Sequence, residues 1–278
     1  MKRIWLGAAI ALIIAGLGTI ACALMISGFD LKQFSGDPYE TKTYEITEMF
    51  FDININTTSA DIEFKKAEDG IARVVCKENE NCTYTVKAEG RVLQIISHDK
   101  RKWYHFFTLD FEKKTMTVYL PEQQYFKLYL GVSTGDVDIP EGFRFRSVDI
   151  TGSTGHVDVS LGETESVSIS RSSGDIRLTN TRAQKVKIET STGHVNLDSV
   201  IAEKEMKIET STGDVKLKGC DSPKISIETS TGDVTGELLS KKHFQTETST
   251  GKVVVPGDES DEICEIKTST GDIKMSVK

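Results

Sequence analysis

The tripeptide Ser-Thr-Gly governs what this chain can fold into. Gly135, Gly155, Gly174, Gly193, Gly213, Gly232, Gly251 and Gly271 recur every 19 or 20 residues, each preceded by Ser-Thr or, once, by Ser172-Ser173. Apolar side chains stand two and four residues after the glycine, as at Val195 and Leu197, and five and seven before it, as at Ile188 and Val186. The main exceptions are Gly236 and Thr246. This alternation is that of a strand with one buried face. Inward offsets are odd before the glycine and even after it, so the alternation breaks and the chain turns a corner there. Glycine supplies the backbone freedom for such a corner, and Ser and Thr hydroxyls bond nearby backbone groups.

One such unit cannot bury its apolar face alone, whereas units stacked in parallel about 4.8 Å apart build a continuous core. The expected fold is therefore all-β, a parallel β-solenoid of 19–20-residue rungs over residues 125–278. A propeller blade of four strands needs about 40 residues, and leucine-rich repeats need their own Leu and Asn pattern. Phe51 to Phe64 reads as a degenerate rung, with Ala60 in the glycine place, Ile53 and Ile55 before it, and Ile62 and Phe64 after it. Strand-like runs at 71–76, 82–88, 92–97 and 115–120 interrupt the array. They are expected to form antiparallel hairpins that close the N-terminal end, because an open solenoid end invites edge pairing. Residues 44–124 thus read as an antiparallel β cap containing one degenerate rung.

From Ile4 to Ile26 no residue is charged, and a helix of about 20 residues already crosses the hydrocarbon layer. Lys2 and Arg3 precede the run, so the positive-inside bias places residues 1–3 in the cytoplasm and the body outside, beyond a spacer at 27–43. Ala21-Cys22 loosely fits a lipoprotein cleavage site, but the apolar run continues through Met25 and Ile26, which favours an uncleaved single-pass anchor at 4–26. The formal net charge of −8 argues against nucleic acid as a partner, since phosphate neutralisation needs a basic stripe.

Candidate chemistry was sought in the repeated rows. Asp136, Asp175, Asp214, Asp233 and Asp272 follow their glycines, but His156, His194 and Lys252 interrupt the row, so turn chemistry explains it better than a calcium ladder. Glu189, Glu209, Glu228 and Glu247 form a second row whose mutual repulsion is expected to raise their pKa slightly, with Lys187 and Lys207 nearby on a solvated face. The five histidines have no Ser, Cys or Asp partner at a recognisable spacing, so no catalytic, cofactor or metal residues are assigned and the chain reads as a non-enzyme. Cys76 and Cys82 flank a polar stretch, a spacing that admits either a disulfide across a hairpin outside the membrane or two small buried thiols. Lys100-Arg101-Lys102-Trp103-Tyr104, running on to Phe107, joins positive charge to aromatic rings. That combination suits a membrane interface or a partner hot spot, while the alternation of Phe107, Leu109 and Phe111 equally suits a buried strand with a basic rim.

Phe51-Asp52-Ile53 leading into Thr58-Ser59-Ala60-Asp61-Ile62, then Val118-Tyr119-Leu120-Pro121, then repeated Ser-Thr-Gly-Asp-Val, resembles the bacterial "putative adhesin" family. That family includes the LiaG-like proteins of Gram-positive envelope-stress systems and is related to the toastrack β-helices. The resemblance covers about residues 44–278. It implies a membrane-tethered extracytoplasmic β-helix that binds an envelope protein or a glycan, either as an accessory to envelope-stress sensing or as an adhesin. It carries no catalytic or ligand residues over to this chain.

Overall fold

The computed structural model describes residues 38–100, 114–257 and 260–278, with Gly16, Gly18, Thr19 and Met25 alone before them. The chain divides into two units, residues 40–99 with 113–278 and residues 1–39 with 100–112, and the described strands all belong to the first. The expected anchor at 4–26 otherwise lies outside the described residues, among which no helix is long and apolar enough to cross a membrane.

The N-terminal strands are β1 (Glu40–Ile46), β2 (Asp52–Ser59), β3 (Asp61–Lys66), β4 (Ala72–Glu78), β5 (Cys82–Glu89), β6 (Val92–Asp99) and β7 (Thr115–Leu120). The repeats supply β8 (Gln124–Thr134), β9 (Val137–Ile139), β10 (Arg144–Thr154), β11 (Val157–Glu163), β12 (Ser166–Ser173), β13 (Ile176–Thr192) and β14 (Val195–Thr212). They continue with β15 (Val215–Cys220), β16 (Lys224–Thr231), β17 (Val234–Leu238), β18 (His243–Thr250), β19 (Val253–Val254), β20 (Ile263–Thr270) and β21 (Ile273–Val277). Parallel pairing sets like on like: Ile150 lies beside Leu130 and Ile169, and Ile188 beside Ile169 and Ile208, all buried. This is the expected solenoid, and its core is the stack of such rows.

The corner works as the parity break requires. All eight glycines have φ between +130 and +155°. Each packs so closely on the glycine or alanine of a neighbouring rung that a Cβ would strike its carbonyl group. The backbone ladder runs straight through the corner, with the Gly174 amide donating to the Thr192 carbonyl and the Gly193 amide to the Thr212 carbonyl, both at 2.9 Å.

Both ends depart from the sequence reading. At the N-terminal end β6 pairs in parallel with β2 and β7 in parallel with β3. Strands β6 and β7 therefore form a further rung outside the degenerate one, which itself stacks on β8 and β9. Among the described strands the antiparallel pairs are β1 with β4, β4 with β7, and β5 with β6. The extra rung escapes the repeat pattern because residues 100–114 stand where the other rungs carry Ser-Thr-Gly. Strand β1 also begins within the segment read as a spacer.

At the other end the last rung in sequence is not the last in space. Strand β20 lies between β16 and β18, and β21 between β17 and β19. Packing explains the exchange. Gly236 leaves a gap in its row that the flexible Met275 side chain of β21 fills. The outermost place goes to β18 and β19, the least apolar rung, where Thr246 sits in a core row and Val253 and Val254 are exposed. Lys242 pins the loop between β17 and β18. It is fully buried, bonded to Ser240 at 2.6 Å, and paired with Asp221 at 2.6 Å and with Glu262.

The cap contains a buried polar centre. Glu78, 2% exposed, accepts from the Lys42 ammonium at 2.9 Å, the Tyr44 hydroxyl at 2.5 Å and the Tyr84 amide at 3.2 Å. Burial alone would raise its pKa, but these donors outweigh it and hold the carboxyl below its ordinary value. A depressed folded pKa gives stability that is complete above the unfolded value and lost as pH falls through the folded one. The cap should therefore loosen below about pH 4. Melting curves of the wild type and Glu78→Gln across pH 3–7 check this: the variant should lose stability at neutral pH and show a flatter acid dependence.

Candidate functional site

The residue after each glycine makes a ladder, not a cation site. The Asp136 carboxylate accepts from the His156 amide at 2.8 Å, His156 Nδ1 from the Asp175 amide at 3.1 Å, and the Asp175 carboxylate from the His194 amide at 2.8 Å. The pattern continues through Asp214, Asp233 and Asp272, whose carboxylate takes the Lys252 amide at 2.8 Å. Asp and a neutral His are equivalent here because both present an acceptor at the same reach. Lys252 is tolerated because its rung is outermost and no later amide needs an acceptor. Among the described residues no group of three or more His, Cys, Asp or Glu side chains is placed to hold a metal ion.

The four described cysteines, Cys76, Cys82, Cys220 and Cys264, are buried thiols. The bridge between Asn79 and Cys82 closes the β4–β5 turn, so Cys76 and Cys82 are not direct cross-strand neighbours. Burial and the neighbouring Glu78 carboxylate push the Cys76 thiol up to about 12, which suppresses its thiolate.

The acidic row is shorter than the sequence suggests, because the exchanged rung order places Lys267 between Glu228 and Glu247. Lys187 pairs with Glu189 at 2.7 Å and Lys207 with Glu209 at 2.6 Å. The Lys207 ammonium holds the Glu209 carboxyl below the usual carboxylate range, opposite to the expected effect of repulsion.

These rows border a concavity of the solenoid face, where the strand before each glycine enters its corner. A groove of about 390 Å³ runs from Gly152 past Ser170, Ser172, Glu189, Ser191 and Glu209 to Ser230. A second, of about 290 Å³, shares Gly152 and runs the other way past Thr151, Gly131, Ser133 and Thr58 to Ser97. Serine, threonine and glycine make up most of the walls, with Glu189, Glu209 and Glu228 among them. The second groove, toward the cap, is lined by neutral side chains, and the first carries the carboxylates. Arg171 lies beneath its floor on the inward face, in the row that runs Val132, Gly152, Arg171, Thr190 and Thr210, and is only 3% exposed. The sequence carried the signal: Arg171 occupies the position three before Gly174 where five other rungs have Thr.

Of the basic and aromatic residues singled out in the sequence, Lys100 is exposed immediately after β6. Arg101, Lys102, Trp103 and Tyr104 lie outside the described residues.

No curated protein matches this chain. Among solved structures, a putative adhesin from Bacteroides fragilis is similar at 18% identity and a TM-score of 0.56, covering 86% of this chain and 98% of that one. A putative adhesin from Parabacteroides distasonis is similar at 15% identity and 0.54, covering 88% and 96%. A putative lipid binding protein from the same species is similar at 12% identity and 0.53, covering 86% and 97%. At these identities the likeness is one of fold. The family model Toastrack DUF4097 matches residues 50–277, and the chain belongs to that family.

Proposed function

We propose that this chain is a membrane-anchored, extracytoplasmic interaction module of the bacterial cell envelope, one that binds its partner without transforming it. The observation that carries the reading is the groove, a line of short hydroxyl side chains repeated over successive rungs of a rigid stack. The Asp and His side chains that follow the glycines are engaged by backbone amides of neighbouring rungs. The uncharged run from Ile4 to Ile26 behind Lys2 and Arg3 supports an anchor with the body outside. The basic and aromatic composition of Lys100 to Tyr104 suits contact with an envelope protein or an anionic membrane surface. A role accessory to envelope-stress sensing follows from the resemblance to LiaG-like proteins. A role as an adhesin or surface-structural protein for glycan or matrix is favoured by the naming of the Bacteroides fragilis and Parabacteroides distasonis structures as putative adhesins.

Two measurements test the proposal. An export-dependent reporter fused after Lys278 should be active, and protease added to intact protoplasts should remove the body; a protected body contradicts the orientation. Full-length protein carrying Trp103→Ala and Tyr104→Ala should lose binding to anionic vesicles while its β-type circular dichroism and melting point stay nearly unchanged. A loss of about 1 kcal/mol or more per ring fits an interfacial anchor. Collapse of the fold would instead identify the segment as cap core.

A further inference from the structure

The two ends of the stack are finished differently. At the N-terminal end the outer edge of β6 is paired by β5 and that of β7 by β4, so hairpins cover both strands of the first rung. At the other end, among the described residues, β18 pairs only with β20 and β19 only with β21, which leaves one edge of each strand open. The apolar rows are open there too. Val253 stands in the row of Val234 and Ile273, which are fully buried, yet is 41% exposed. Phe244 stands in the row of Ile225 and Cys264, also fully buried, and is itself only half-buried. Val254, the next residue of β19, is 58% exposed.

The open edge of β18 is complementary to an antiparallel copy of itself. The His243 amide donates to the Glu262 carbonyl beside β20 at 2.7 Å. Backbone groups of successive strand residues point to opposite edges, so those of Phe244, Thr246 and Thr248 are directed away from β20, toward the open side. Side chains alternate between the faces of the same strand, and His243, Gln245 and Glu247 are exposed on its outer face. Antiparallel pairing of two such edges about a two-fold axis at Gln245 sets Phe244 opposite Thr246 in hydrogen-bonded pairs, twice over. It also sets His243 opposite Glu247, twice over, so imidazole meets carboxylate and no like charges are opposed. At the axis the Gln245 amide meets its own copy, donor to acceptor.

We propose that the β18–β19 end of the stack is a homophilic interface, on which a second copy of this chain docks by antiparallel pairing of β18 with β18. A second copy fits better than an unrelated strand because it brings the same uncovered rows to the contact, so each copy buries apolar surface of the other. The contact is isologous, and the N-terminal strand edges are already taken by hairpins. It therefore stops at two chains and does not run on into a filament. The inference goes beyond the interaction-module reading, since it needs neither the groove nor the segment from Lys100 to Tyr104.

The test is sedimentation of the full-length protein in detergent across a range of concentrations. Wild type should show a reversible equilibrium between monomer and dimer. Gln245→Lys and Gln245→Glu each oppose two like charges across the axis, and each alone should weaken the dimer about five- to tenfold. Their melting points should stay near that of the wild type, because Gln245 is exposed. Mixed in equal amounts, the two variants should recover the association, since lysine then meets glutamate. Thr246→Pro removes an N–H directed at the open edge and should also weaken the dimer; if it unfolds the last rung, the charge series decides. A wild type that is still monomeric at about 100 μM overturns the proposal. A dimer that either Gln245 variant leaves intact overturns it too, since the contact then lies elsewhere, and so does a loss that mixing fails to restore.

Discussion

Gly193→Ala should destabilise the protein by about 3 kcal/mol or more, although it adds a single methyl group. Two costs combine. Gly193 has φ of +147°, a region that L side chains rarely adopt. The new Cβ would also land on the carbonyl oxygen of Gly174, which lies between the Gly174 and Ile176 amides that bond to the Thr192 and His194 carbonyls. Relief would require the corners to separate, breaking the Gly174 amide bond to Thr192 and the side-chain bond from Asp175 to the His194 amide. Gly162 is the control. Its φ is +67°, but open space surrounds its Cα, so Gly162→Ala should cost only about 1 kcal/mol. Urea titrations followed by circular dichroism measure both, and equal midpoints would refute the close-packed glycine corner.

The middle of the molecule was legible because every rung repeats the same physical compromise, and the repetition announces it. Leu130, Ile150, Ile169 and Ile188 could be placed in one core row from spacing alone, and all four are buried. The ends were not legible for the opposite reason. Val92–Asp99 and Thr115–Leu120 keep the strand alternation of a rung, but the sequence between them contains no Ser-Thr-Gly, so no glycine marks the unit. Ala60 hid a related fact: it holds the glycine place without a positive φ, because its outer neighbour at the corner is Lys114 and not another glycine.

The exchange of the last two rungs was equally hidden, since rows read in sequence order assume neighbours in sequence are neighbours in space. Gly236 and Met275 each looked like a defect alone and become complementary only as neighbours. The same assumption produced an unbroken acidic row that Lys267 interrupts. For the groove, the odd residue in the threonine row was visible as Arg171, but its depth depends on Gly152 and Val132 in adjoining rungs.

The parallel stack itself is tested most directly by deleting residues 194–213, which joins Gly193 to Asp214 and recreates the Gly-Asp corner in a solenoid one rung shorter. Every apolar row, the glycine row and the Asp-His ladder then stay in register, so the variant should unfold cooperatively with a modest loss of stability, as expected when repeats contribute nearly additively. Deleting residues 194–203 removes half a rung, joins Gly193 to Lys204 and turns the inward rows of all later strands out of line. That variant should show no cooperative transition. Thermal melts of the two deletions beside the wild type decide the matter: a folded 194–213 deletion with an unfolded 194–203 deletion is the result this architecture predicts, and equal melting behaviour of the two would contradict it.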